Sequence, residues 1–158
     1  DRSPSRGLGD VYKRQLIESF HQEYPDLTYD VTIKVEHLLA HREKLHLLVE
    51  TGCLFVTTAV EEVDDDVLCK LEKSHTRADF IDIVHFTNTI DLTLSPTFIP
   101  FHPWTTPSGF VDLLSMISEL DLIENVSPVQ LGIRLLIPKG SRILELKDIN
   151  QFLADFDA

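Results

Sequence analysis

The sequence predicts an α/β protein built as an incomplete parallel βα barrel, with about four βα units of a (βα)6 TIM-like partial barrel. Three observations lead to this prediction. Strand-like and amphipathic helical runs alternate along the 158 residues. Most of the strand-like runs are continuously apolar, as in strands covered on both faces. No glycine-rich phosphate-binding turn follows the first strand, which disfavours a nucleotide-binding open sheet.

Four segments have strand character. The first alternates apolar and polar positions and is rich in β-branched residues, whereas the other three are more continuously apolar. They occupy residues 27–35, 52–60, 92–101 and 129–138. Parallel strands need long crossover connections, so helices are expected between them.

Five helical segments are predicted between and after these strands. Gly52 ends the first helix, Thr76 and Asp79 form a capping-box pattern, and Pro107 opens a later helix where its missing N–H costs little. The helices occupy residues 36–51, 64–73, 76–90, 106–122 and 147–156. In a parallel barrel, chemistry is expected at the carboxyl ends of the strands.

Charge and composition exclude several function classes. The net charge is −12, and it becomes −14 without residues 1–15, which hold four basic and two acidic side chains. This charge argues against nonspecific nucleic-acid binding. No apolar run approaches the ~20 residues of a membrane span, and no secretory segment is visible, so a cytoplasmic location is expected. Cys53 and Cys69 belong to no metal-binding pattern and are expected to be reduced core thiols.

The stretch "AVEEVDDDVLCKLEKSHT" (residues 59–76) carries the first candidate site residue. Glu61 lies just past an apolar strand, where a carboxylate can accept hydrogen bonds from ligand hydroxyls or from an ammonium group. The alternative is a solvated glutamate at the start of a helix.

The loop "PTFIPFHPWTT" (residues 96–106) and the apolar strand around Arg134 are further candidates. The proline-rich loop either lines a site or lets Trp104 pack over the barrel rim, and His102 is an acid–base candidate or a structural histidine. Arg134 needs either an anionic ligand or a structural ion pair. His37 and His41 are spaced for zinc, but no third ligand is evident, which favours surface histidines.

Five motifs in register resemble the radical S-adenosylmethionine (radical SAM) superfamily over residues 26–146. They are "IKVE" (33–36), "TGCLFVTTAVEE" (51–62), "VLCKLEKSHT" (67–76), "PTFIPFHPWTT" (96–106) and "LIPKGS" (136–141). The resemblance implies an enzyme that cleaves S-adenosylmethionine (SAM) with a [4Fe–4S] cluster to form a 5′-deoxyadenosyl radical. The substrate is not readable from the sequence.

The resemblance also implies roles for particular residues. Those beside SAM would be Glu61, Thr58, Thr97, Ile99 and Ile137. Those facing SAM or the substrate would be Lys34, Arg134 and His102. The chain departs from the family pattern at Ala59 and Glu62, where glycine and serine are usual, and in "PWTT" where the family has "PGET".

The cluster-binding CxxxCxxC loop of the family is missing from the chain. It is expected before residue 1, so this chain is expected to bind neither cofactor completely and to be inactive. Residues 1–15 resemble a translated sequencing-library adapter. Residues 16–146 would then be a partial barrel from the second helix through the sixth strand, and residues 147–158 would begin a C-terminal extension.

An alternative of another class stays open: a βα-barrel binding protein without redox chemistry, or another TIM-like enzyme. In that case Glu61, Thr97 and Arg134 are expected not to converge on one end of the barrel. The expected partner is a small-molecule cofactor, with no nucleic acid and no membrane. An open strand edge also predicts nonspecific association.

Overall fold

The computed structural model describes residues 8–152, with side chains from Gln15 onward. The helices and strands, in chain order, are α1 (Leu8–Glu23), β1 (Tyr29–Thr32), α2 (Val35–Ala40), α3 (His46–Glu50), β2 (Cys53–Glu61), α4 (Asp65–Lys70), α5 (Arg77–Thr89), β3 (Leu94–Phe98) and α6 (Pro107–Glu119). The sequence predicted a boundary after residue 15, between an adapter-like segment and the partial barrel. Helix α1 runs continuously across that position.

The three strands form one parallel sheet in the order β1-β2-β3. In the first pair, Thr32 lies opposite Thr57, and in the second Val56 lies opposite Leu94. The central strand β2 is therefore paired on both sides. The predicted α/β class with a parallel sheet is confirmed, whereas a barrel of four units is not.

A single hydrophobic core covers one face of the sheet. Phe80 of α5 meets Phe98 of β3 edge-on, with ring centroids 6.1 Å apart. Leu38 of α2 and Leu113 of α6 belong to the same buried cluster as Val56 of β2. The helices between the strands thus pack against the same side of the sheet.

Side-chain caps hold the starts of three helices, and the predicted capping box at Thr76 is one of them. The Thr76 side chain accepts from the Asp79 N–H, and the Asp79 carboxylate accepts from the Thr76 N–H, which completes the capping box. Asp64 caps α4 by accepting from the N–H groups of Asp66 and Val67. Thr106 caps α6, with Pro107 in its first turn.

Three predicted elements are wrong, two of them before residue 139. The helix predicted over residues 36–51 is broken into α2 and α3 by a 3₁₀ turn at Arg42–Lys44. The strand predicted over residues 129–138 is replaced by a 3₁₀ turn at Pro128–Gly132 and a single parallel bridge between Phe101 and Arg134. Leu136 in that run is 85% exposed, so no second layer covers the segment as a buried strand requires.

The segment after this bridge folds back toward α4. Arg142 pairs with Glu72 at 2.8 Å, and Ile149 is fully buried. The helix predicted over residues 147–156 is a 3₁₀ turn at Ile149–Phe152, and residues 153–156 lie outside the described part. Across residues 8–152, no helix has the length and apolar character needed to cross a membrane.

The outer edge of β1 generates a prediction about association. In the described part of the chain β1 pairs with one strand, β2, so its other edge offers unpaired backbone groups to a second molecule. We expect concentration-dependent association in sedimentation velocity, and we expect Thr32→Lys to reduce it by placing a charge on that edge. The control Ser118→Lys adds the same charge on the exposed surface of α6. Equal effects of the two substitutions would contradict an association through β1.

Candidate functional site

The two faces of the sheet differ in exposure. In β2, Val56, Thr58 and Val60 are buried beneath the helices, whereas the alternate positions are half-exposed. Because Ala59 pairs with Thr97, Thr97 lies on the half-exposed side. We call this side the open face, and its β2 and β3 residues are Phe55, Thr57, Ala59, Ser95 and Thr97.

Glu61 ends β2 in an unusual backbone conformation. The pairing register with β3 shifts between Ala59 and Glu61, and Glu61 has a φ of 71°. This left-handed region is uncommon for residues other than glycine. Ile99 directly follows β3, and its N–H donates to the Glu61 carbonyl oxygen at 2.8 Å. This hydrogen bond holds the irregular end of β2 against the end of β3. Strain of this kind clusters at functional sites.

Two side chains from the loop between α4 and α5 hold this end of β2. The Lys73 ammonium lies 2.7 Å from Oε1 of Glu61, in an ion pair that is largely shielded from solvent. The His75 ring donates from Nε2 to the Val60 carbonyl oxygen at 3.2 Å. Burial lowers the pKa of His75, because the imidazolium form loses its hydration, and the bond to Val60 opposes this effect.

A buried hydrogen-bonded pair of titratable side chains joins the end of β2 to the loop after β3. Nε2 of His102 lies 2.7 Å from Oε2 of Glu62, and the two side chains are 2% and 8% exposed. Nδ1 of His102 accepts from the Trp104 N–H, so Nε2 carries the proton that is donated to Glu62. The Val63 N–H donates to the other Glu62 oxygen at 2.7 Å. Each polar atom of the pair therefore has a partner.

The same loop is fixed further along by Trp104. Its indole N–H donates to Asp148 at 2.8 Å, and the Lys70 ammonium lies 4.8 Å from the ring centroid. Hydrogen bonds from Lys70 and then from Trp104 lower the pKa of Asp148. Between this loop, α4 and α6 lies a cavity of about 110 Å³, lined in part by Glu62, His102 and Phe110.

Three of the residues predicted to contact SAM lie at the carboxyl ends of the neighbouring strands β2 and β3. Glu61 and Ile99 are joined by a backbone hydrogen bond, and Thr97 lies opposite Ala59 on the open face. Thr58 differs, because its side chain is fully buried on the helix-covered side, and its hydroxyl has no hydrogen-bond partner in the described structure. The neighbouring Thr57 is the β2 threonine on the open face.

The remaining predicted residues are more dispersed. The Lys34 side chain is 71% exposed just after β1, and its ammonium lies 3.8 Å from Glu36. Arg134 is exposed, and its backbone bridges Phe101 beyond the end of β3. Ile137 is half-buried in the irregular segment that follows. Glu61 and Thr97 therefore lie on neighbouring strands at the same end of the sheet, and Arg134 lies in a segment that bridges the residue Phe101 beyond it.

The described residues contain no group of three potential metal ligands among histidine, cysteine, aspartate and glutamate. His37 instead lies 3.6 Å from Glu36. Both cysteines are free, but the prediction of two core thiols holds less well, because Cys69 is exposed on α4. Cys53 is half-buried, and burial raises the pKa of its thiol.

Lys73, His75 and the Glu62–His102 pair were not predicted as partners. The sequence does show that Lys73 and His75 lie in an "EKSHT" loop at the start of a capped helix. It does not show what they contact, because Lys73 is 12 residues from its partner Glu61 and His75 is 15 residues from its partner Val60. Only the folded chain brings these groups together.

No family model and no curated protein matches the chain. Solved structures show that its fold is related to that of radical SAM enzymes. The matching structures include three of OxsB, a cobalamin-dependent S-adenosylmethionine radical enzyme. The apo, selenomethionine-labelled form matches with a TM-score of 0.69 and 11% identity over 94% of this chain. The form with aqua-cobalamin and SAM bound matches with a TM-score of 0.54 and 15% identity over 84% of this chain. The chain spans 27% and 18% of the length of these two structures.

The backbone of Glu61 generates a stability prediction. Glycine is usually less stable than alanine in a strand by roughly 0.5–1 kcal/mol, but at a left-handed position it relieves strain of about 1 kcal/mol or more. We therefore expect Glu61→Gly to be more stable than Glu61→Ala in urea unfolding followed by fluorescence of the one tryptophan. The control Ala59→Gly, at an ordinary position of the same strand, should be less stable than the wild type. If Glu61→Gly were the less stable of the two variants, the strain would be refuted.

The lowered pKa of His75 generates a pH prediction. The unfolded chain takes up a proton near the ordinary pKa of 6.5, whereas the folded chain resists protonation until a lower pH. The contribution of His75 to stability is therefore present above pH 6.5 and is lost as the pH falls through the folded pKa. Between pH 7.5 and pH 5, the free energy of unfolding should fall more for the wild type than for His75→Gln. Parallel pH profiles of the two proteins would contradict this role.

Proposed function

We propose that this chain contributes part of the SAM-binding wall of a radical SAM enzyme. The observation that carries the proposal is the meeting of Glu61, Thr97 and Ile99 at the carboxyl end of two parallel strands, in a fold related to radical SAM enzymes. In parallel βα folds, ligands bind at this end of the strands.

Glu61 is the main polar contact in this proposal. Lys73 occupies its Oε1, and no described residue donates to Oε2. A ribose hydroxyl or an ammonium group of SAM can donate to that second oxygen. Thr97, and Thr57 in the place first assigned to Thr58, supply hydroxyl groups on the open face, and Ile99 supplies an apolar surface beside them.

The [4Fe–4S] cluster does not fit the cysteines of this chain. A cluster that leaves one iron open for SAM needs three thiolates, whereas the chain has two cysteines. One is half-buried with its Sγ 3.4 Å from the Phe55 carbonyl oxygen, and the other is exposed on α4. When bound in such an enzyme, the cluster supplies the electron that cleaves SAM to a 5′-deoxyadenosyl radical. We propose that this chain alone binds nucleoside without cleaving SAM.

Equilibrium binding of S-adenosylhomocysteine tests the proposal by calorimetry. This probe lacks the sulfonium charge of SAM, so the net charge of −12 cannot attract it nonspecifically. We expect Glu61→Gln to weaken binding by about tenfold or more, since a hydrogen bond to a charged group contributes ~1.5–3 kcal/mol. The matched control Glu50→Gln alters an exposed glutamate beyond the opposite end of β2 and should bind like the wild type.

Two outcomes would contradict this function. Wild-type protein that binds no S-adenosylhomocysteine, or a Glu61→Gln variant that binds equally well, would favour a βα binding protein without redox chemistry.

A further inference from the structure

Three helices of this chain end with the same turn. Each of α4, α5 and α6 is followed, after one capping residue, by an acidic residue with a left-handed backbone: Glu72, Asp91 and Asp121, with φ of 53°, 56° and 56°. In each, the next N–H donates back across the last turn of the helix, as in a Schellman motif. The three turns can therefore be compared position by position.

The residue after the left-handed position differs in one of them. After α5 it is Leu92 and after α6 it is Leu122, and each leucine is 2% exposed in the core. An apolar residue is usual there, because it packs against the last helical turn. After α4 the same position is Lys73, whose side chain leaves the core and reaches Glu61.

Hydrogen bonds of the turn fix the backbone of Lys73. Its N–H donates to the Leu68 carbonyl oxygen at 3.0 Å, and the Glu72 N–H donates to the Cys69 carbonyl oxygen at 3.0 Å. The lysine side chain is 27% exposed and its carboxylate partner is 16% exposed, so the 2.7 Å contact is partly shielded from water. A lysine on a fixed backbone can thus hold a carboxylate in one orientation.

We propose that Lys73 is a positioning residue that fixes the Glu61 carboxylate for ligand binding. It occupies Oε1 and directs Oε2 toward a ligand at the carboxyl end of β2, without itself touching that ligand. The consequence for binding rests on the proposed function, whereas the fixed orientation of Glu61 does not.

The first readout is the rotamer of Glu61, measured on the full chain without ligand. Three-bond nitrogen–carbon and carbonyl–carbon couplings across χ1 report whether its side chain occupies one rotamer or several. We expect one rotamer in the wild type, averaged couplings in Lys73→Met, and recovery of a single rotamer in Lys73→Arg. The control Lys70→Met removes a neighbouring lysine of similar exposure that pairs with Asp148, and should leave the Glu61 couplings unchanged.

The second readout is the binding of S-adenosylhomocysteine to the same four proteins. We expect a loss of about tenfold in Lys73→Met, largely restored in Lys73→Arg and absent in Lys70→Met. Amide spectra of each variant show whether the fold is kept. If Lys73→Met binds like the wild type, the role of Lys73 in binding is overturned.

The two readouts separate the two proposals. Wild-type couplings in a folded Lys73→Met variant would overturn the positioning role, whatever the ligand result. Averaged couplings in that variant, with no binding of S-adenosylhomocysteine by the wild type, would support the positioning of Glu61 and contradict the proposed ligand.

Discussion

The one-sided covering of the sheet is the constraint on which the rest of the structure depends. Strand order β1-β2-β3 with parallel pairing makes each crossover step in the same direction. Because such crossovers are nearly always right-handed, successive helices stay on the same face. The core around Val56, Phe80 and Phe98 forms there, and the alternate side chains of β2 and β3 remain half-exposed. The half-exposed open face on the other side of the sheet therefore follows from the path of the chain.

Several hydrogen bonds hold the loop after β3. Removing one partner of the buried Glu62–His102 hydrogen bond leaves the other group desolvated and unsatisfied, which typically costs ~1–3 kcal/mol. The pair joins the end of β2 to the loop, and the Trp104–Asp148 hydrogen bond joins the loop to the segment near Ile149. Contacts within the chain thus order the carboxyl end of the sheet, and an ordered site of this kind would lose less entropy if it bound the proposed ligand.

Local signals in the sequence were sufficient for the capping box at Thr76, the first three strands and the position of Glu61. The capping box and the apolar run of β2 depend on neighbouring residues, so they could be predicted without the fold. The segment around Leu136 has the composition of a strand, but strand formation also needs a partner and a covering layer, which composition does not report. Thr58 was predicted as a site residue because it lies on the same strand as Glu61. Which face of the sheet a residue occupies depends on the alternation of side chains along the strand and on the pairing register, here Ala59 with Thr97, and this places Thr58 on the opposite face from Thr97.

The meeting of Glu61 and Lys73 is harder to explain by stability alone. Glycine would suit the left-handed backbone at Glu61, and a leucine would fill the position of Lys73 as it does after α5 and α6. Neither Glu61 nor Lys73 is the residue type that the local backbone favours at its position. The two side chains form an ion pair in which Nζ of Lys73 lies 2.7 Å from Oε1 of Glu61. When two neighbouring residues both differ from the types that local conformation favours, a functional demand is the expected cause. We propose that this demand is a carboxylate held in one orientation at the carboxyl end of the central strand.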